Sequence, residues 1–93
     1  MQAGYGYDKA LGYQQITDVS SAVGLTIPAG ASMALIQAQT QSVRWRDDGT
    51  NPTSTVGMTI SAGSTLEYTG SLSAIKFIQV AASAALNISY YGA

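Results

Sequence analysis

No stretch of this chain holds a helical period of apolar residues for three turns; from Tyr13 onward, short alternating segments are cut by Gly, Pro, Ser and Asp every few residues. That punctuation disfavours a helical bundle and leaves β-strands as the regular element able to bury an apolar face. The expected strands are 13–17, 24–27, 33–39, 42–47, 56–60, 65–69, 75–81 and 85–91. Two short stretches read a second way, 19–23 as a helical turn and 81–85 as a loop. About eight strands at this spacing predict an all-β domain, an antiparallel β-sandwich of jelly-roll type.

Alternation assigns the faces. In Val43-Arg44-Trp45-Arg46-Asp47, Val43 and Trp45 share one side and the two arginines the other; Leu86, Ile88 and Tyr90 oppose Asn87, Ser89 and Tyr91. The expected core is Leu25, Ile27, Leu35, Val43, Trp45, Met58, Ile60, Leu66, Tyr68, Ile75, Phe77, Leu86 and Ile88. A faint internal echo supports two halves of similar plan. Leu25-Thr26-Ile27-Pro28-Ala29-Gly30-Ala31-Ser32 parallels Met58-Thr59-Ile60-Ser61-Ala62-Gly63-Ser64-Thr65, and Leu35-Ile36-Gln37-Ala38 parallels Phe77-Ile78-Gln79-Val80. Both Ala-Gly pairs read as turns in which glycine takes a positive φ, and Pro28 marks a strand end.

Two units follow from this pattern, an extended N-terminal arm over 1–12 and one sandwich domain over 13–93. The arm mixes Gly4, Gly6 and Gly12 with Tyr5 and Tyr7 and leads to Tyr13. A disordered terminus is the competing reading. Tyrosines suit an arm that orders on a neighbour, because each supplies large contact area at small entropy cost.

Charge is scarce. Only 10% of the 93 residues are charged, against roughly 25% in an average soluble domain, and the net charge is -1. Such a chain has no field to attract phosphate backbones or anionic lipid, so neither nucleic acid nor membrane is an expected partner. The stacking potential of Arg44-Trp45-Arg46 does not change this, since the only other cations are Lys9 and Lys76. Low net charge and strand edges almost without lysine favour self-association. With no cysteine to form disulfides, oligomerisation is the expected staple for so small a core. The first thirteen residues lack the basic start and apolar run of a signal peptide, and no segment is long enough to span a bilayer as a helix.

Catalysis is not expected. Histidine and cysteine are both absent, which removes Ser-His-Asp and Cys-His arrangements within one chain. The carboxylates are Asp8, Asp18, Asp47, Asp48 and Glu67, and the adjacent pair Asp47 and Asp48 diverges in extended chain rather than flanking one bond. The Asp-Asp-Gly-Thr-Asn run from Asp47 offers oxygen atoms that calcium could use but lacks the full ligand loop. It reads as a capped loop with a salt bridge to Arg44 or Arg46, and no cofactor or metal is expected. Arg44, Arg46, Asp47 and Asp48, with Tyr5, Tyr7, Tyr13 and Tyr91, are the candidate protein-interface residues.

The segment from Leu11 to Tyr91 resembles a family of short proteins encoded among the structural genes of tailed bacteriophages and prophages. The resemblance is carried by Gly12-Tyr13-Gln14-Gln15-Ile16, Gly24-Leu25-Thr26-Ile27-Pro28-Ala29-Gly30-Ala31 and Ala34-Leu35-Ile36-Gln37-Ala38. Above all it lies in Val43-Arg44-Trp45-Arg46-Asp47-Asp48-Gly49-Thr50 with Pro52-Thr53 and Val56-Gly57-Met58; Leu72-Ser73-Ala74-Ile75-Lys76-Phe77-Ile78 and Leu86-Asn87-Ile88-Ser89-Tyr90-Tyr91 complete it. It implies a virion component, a capsid cement or decoration protein on the capsid surface. The partner would be the major capsid protein, and the protein itself a homo-oligomer, with a trimer favoured. The alternative it leaves open is a tail, neck or fibre component acting as an adaptor or a receptor- or glycan-binding module. It carries over no catalytic or binding residues.

Overall fold

The structure is a computed structural model and describes residues 9–92. Seven strands are present: β1 (Lys9–Ile16), β2 (Ala31–Gln39), β3 (Val43–Arg46), β4 (Met58–Ile60), β5 (Thr65–Tyr68), β6 (Lys76–Gln79) and β7 (Ala85–Gly92), with no helix among the described residues. They form two antiparallel sheets, ordered β1-β7-β2-β5 and β4-β3-β6. One apolar cluster joins them, giving a sandwich-like all-β architecture. Ile16, Ala34, Ile36, Ala38, Tyr68, Leu86, Ile88 and Tyr90 come from the first sheet and Val43, Ile60 and Phe77 from the second. Removing the largest of these apolar surfaces from water is the main force holding the sheets together.

The glycine turns form as their sequence requires. Ala31 N donates to Pro28 O (3.2 Å) around Gly30 at φ +86°, and Ser64 N donates to Ser61 O (2.8 Å) around Gly63 at φ +84°. Positive φ at the third residue is what a type II turn needs. Each turn carries the chain towards a strand of the four-stranded sheet, β2 in one case and β5 in the other. The first echo is therefore structural. The second is not, because Leu35-Ile36-Gln37-Ala38 lies in the four-stranded sheet while Phe77-Ile78-Gln79 lies in the other.

Several expectations need correction. Residues 9–12 are not arm but the start of β1, with Lys9 paired to Gly92; the remainder of the expected arm, with Tyr5 and Tyr7, lies outside the described residues. Residues 24–27 form no strand. Thr26 N donates to the Gln14 side chain (3.1 Å) instead of a neighbouring backbone, so the chain crosses between sheets there without a ladder. Residues 19–23 are not a helical turn. They run along β6, where Val23 and Phe77 exchange backbone hydrogen bonds (2.9 and 2.8 Å) and Gln79 N donates to Val19 O (2.9 Å).

Two assigned core residues sit elsewhere. On β2 the core takes Ala34, Ile36 and Ala38, so Leu35 faces the other way with Gln37 and Gln39. Met58 is 61% exposed. Ile16, Val19, Leu72, Ala84 and Tyr90 join the core beyond the expected set.

Between β2 and β3 the chain turns within three residues. Gln41 N donates to Gln39 O (2.9 Å) around Thr40 at φ +75°, a γ-turn of the strained hand on a β-branched residue. Left-handed backbone costs an L-residue roughly 1–2 kcal/mol, more than glycine loses in chain entropy. Thr40→Gly is expected to stabilise the fold by about 1 kcal/mol, read as a higher urea midpoint at unchanged slope; a lower midpoint would show that the Thr40 side chain contributes more than its backbone costs.

Candidate interaction site

The second sheet is left open at one corner. Val43 and Trp45 of β3 face the core, and across the ladder they pair with Ile60 and Met58. Partners in an antiparallel pair share a side, so Met58 points the way the buried Ile60 does. It is nevertheless exposed, while its cross-strand partner Trp45 meets the Tyr68 ring edge-on with centroids 5.9 Å apart. Beyond that contact lies a cleft of about 360 Å³ lined by Trp45, Arg46, Asp47, Asp48, Val56, Gly57 and Met58.

Polar side chains hold its walls. Arg44, on the outer side of β3, donates through Nε to Ser54 O (3.1 Å) and through Nη1 to Gly57 O (2.9 Å) and Thr59 Oγ1 (2.9 Å). Thr53 Oγ1 accepts from Val56 N (3.0 Å), closing the loop that presents Val56. Gly57, at φ +142°, packs so close to β3 that a Cβ would stand 3.1 Å from Trp45 O. On the other wall Arg46 grips Asp48 through two hydrogen bonds, Nε to Oδ1 (3.1 Å) and Nη2 to Oδ2 (2.5 Å). The guanidinium holds the Asp48 carboxyl below its ordinary range, and Asp48 raises the Arg46 pKa in return. Both are solvent-facing, so the pair fixes geometry more than it adds stability.

Asp47 accepts a 2.6 Å hydrogen bond from Tyr68 Oη. Burial, and then the hydrogen bond and charge of Asp47, push the Tyr68 phenol up to about 12. In the unfolded chain it titrates near 10. The folded state thus holds this proton more tightly, and the stability it contributes is complete below pH 10 and lost as pH rises towards 12. Tyr68→Phe is expected to cost about 1 kcal/mol at neutral pH and to remove this part of the alkaline loss. Urea melts of both proteins between pH 9 and 12 read it; parallel curves would show that Tyr68 does not titrate in that window.

The outer face of the four-stranded sheet is a second surface. Asn87 Oδ1 accepts from Tyr13 Oη (2.6 Å) and Gln15 Nε2 (3.0 Å), while Asn87 Nδ2 donates to Gln37 Oε1 (3.2 Å) and Gln39 Oε1 (2.8 Å). An uncharged amide ladder thus ties β1, β7 and β2, with Tyr13 standing 65% exposed beside it. Tyr91 lies on the same side, half-buried, its Oη accepting from Ser89 Oγ (3.2 Å).

Of the candidate interface residues, then, Arg46, Asp47 and Asp48 meet at the cleft, Arg44 supports its far wall from behind, and Tyr13 and Tyr91 belong to the other sheet. Arg46 is the salt-bridge partner in the acidic loop. Sequence reasoning missed Val56, Met58 and the ladder's hub Asn87. For Met58 a signal existed, since pairing it with Trp45 at a sheet edge puts a large apolar side chain where few residues remain to cover it. Among the described residues no three His, Cys, Asp or Glu side chains gather as a metal site would need. No family model matches the chain, and no curated protein or solved structure is significantly similar to it.

Proposed function

We propose that this protein is a non-enzymatic structural component of a tailed-phage particle, a cement or decoration protein seated on the capsid surface between capsomers. It binds the major capsid protein and acts as a homo-oligomer, most simply a trimer. The observation that carries the reading is the strand order. If the 19–23 segment is counted as the second of eight strands, the sheets run 1-8-3-6 and 2-7-4-5. That order matches a long hairpin, pairing first with last, second with seventh, third with sixth and fourth with fifth, rolled into two layers, and so supports the jelly-roll reading.

Jelly rolls serve in viral capsid and lectin domains. Fold alone does not assign function. Two further features favour the capsid: the sequence resemblance to phage structural proteins, and a surface of amides, hydroxyls and tyrosine that can be buried with little charge desolvation. Function is then interface area summed over many copies, with no bond made or broken.

The test is the copy number of this protein relative to the major capsid protein in purified particles, by quantitative mass spectrometry. A ratio within a few-fold of unity supports cement. A handful of copies moves the protein to the tail, neck or fibre, where the half-buried Trp45 beside two carboxylates suits a glycan-binding module and a glycan array would give signal. Absence from particles removes the virion reading.

A further inference from the structure

The open corner presents three things together: exposed apolar side chains at Val56 and Met58, a strand edge that no described residue pairs, and a rim with one net negative charge. β4 is the outermost strand of its sheet, and residues 53–60 carry no charge to discourage another strand from adding to it. A strand that adds to such an edge puts alternate side chains into whatever pocket lies beside it. Here that pocket holds Trp45, Val56 and Met58, with Asp47, Asp48 and the Arg46 paired to Asp48 at its lip, which leaves the lip one net negative charge.

The chain carries a segment with matching chemistry. In Gly4-Tyr5-Gly6-Tyr7-Asp8-Lys9, tyrosines and then a lysine alternate with two glycines and an aspartate. Extended, it shows one face of Tyr5, Tyr7 and Lys9 and an opposite face nearly free of side chains. Tyrosine rings suit a thioether and an indole, and a cation suits the acidic lip.

Reach decides which copy provides it. Lys9 shares a row with Gly92 and Ala31, whereas Tyr68, the residue against Trp45, is level with Ala34 at the other edge of the sheet. Three strand spacings and three residues of rise separate them by about 17 Å in a straight line through the sheet. Four extended residues carry the Tyr5 Cα at most about 14 Å from Lys9; adding to β4 as a strand requires the backbone itself, and not a side-chain tip, to cross the longer path round the sheet's end.

We propose that residues 4–8 of one copy add as a strand to β4 of a second copy, with Tyr5 or Tyr7 inserted between Trp45, Val56 and Met58. The proposal rests on the homo-oligomer part of the reading above and gives it a contact. Each tyrosine buries about 150–250 Å², well short of a standard interface of about 800 Å² per partner. One such joint is therefore weak and concentration-dependent, and a head-to-tail contact of this kind closes into a ring where the rotation between copies completes a turn and otherwise runs on as a filament.

The test replaces Tyr5 or Tyr7 with photoreactive benzoylphenylalanine in the full chain, irradiates the protein, and maps the adducts by mass spectrometry. The expected product is a covalent dimer linked to Val56 or Met58, reduced about ten-fold by Met58→Asp or Val56→Asp, with thermal melts verifying that these exposed sites leave folding intact. An adduct within one chain overturns the exchange between copies. An oligomer by sedimentation without adducts at the cleft overturns the seat but leaves self-association standing. A protein that stays monomeric at every concentration removes the contact and the homo-oligomer together, while the particle mass ratio still decides the virion reading on its own.

Discussion

Replacement of Phe77 by alanine lowers the unfolding free energy by about 3–5 kcal/mol, a large share of the roughly 5–15 kcal/mol that a small domain has. Phe77 is fully buried and sits where three lines of the second sheet meet: it pairs with Trp45 on β3, exchanges two backbone hydrogen bonds with Val23 and lies in the shared core. Alanine leaves the backbone pairing in place and removes the ring, so the loss reports packing between the sheets. Urea unfolding followed by the fluorescence of the sole tryptophan, Trp45, measures it. A loss below about 1 kcal/mol would mean that the cavity collapses, and that the two sheets are less tightly joined than their common core implies.

Gly92→Ala is the second large loss, about 3 kcal/mol, and its cause is the opposite of a cavity. Gly92 ends β7, the strand between β1 and β2, and pairs with both Lys9 and Ala31. A methyl group there would lie 2.1 Å from Gly30 O and 2.8 Å from Leu11 Cδ1. The first contact is backbone in a turn that glycine already holds at positive φ, so neither partner can yield without breaking the ladder. The same urea assay reads the loss. A variant as stable as the parent would show that β1 and the Pro28 turn can part from β7 at no cost, and that Lys9–Leu11 belongs with the arm after all.

The sequence was most legible where a local rule decided the matter. Gly30 and Gly63 lie in turns because glycine alone takes that backbone freely, and β7 was readable because Asn87 and Ser89 alternate with Leu86, Ile88 and Tyr90. The β2 face was misjudged through size. Leu35 outweighs Ala34 and Ala38, yet its parity with Gln37 and Gln39 places it outside, and small residues serve a core where two sheets come close. The cleft was beyond local reading. Its lining residues come from both ends of the eleven-residue loop between β3 and β4, whose closure no local rule dictates, and the Tyr68 to Asp47 contact that bounds it joins residues 21 apart in sequence. Residues 24–27 deceived for a related reason: their apolar alternation is real, but Thr26 spends its N–H on the Gln14 side chain.

The amide ladder on the outer face contains no group that ionises near neutral pH and no net charge. Ionic strength therefore has little to screen there. A partner resting on Tyr13, Asn87 and Gln37 alone would hold as well in dilute buffer as in brine.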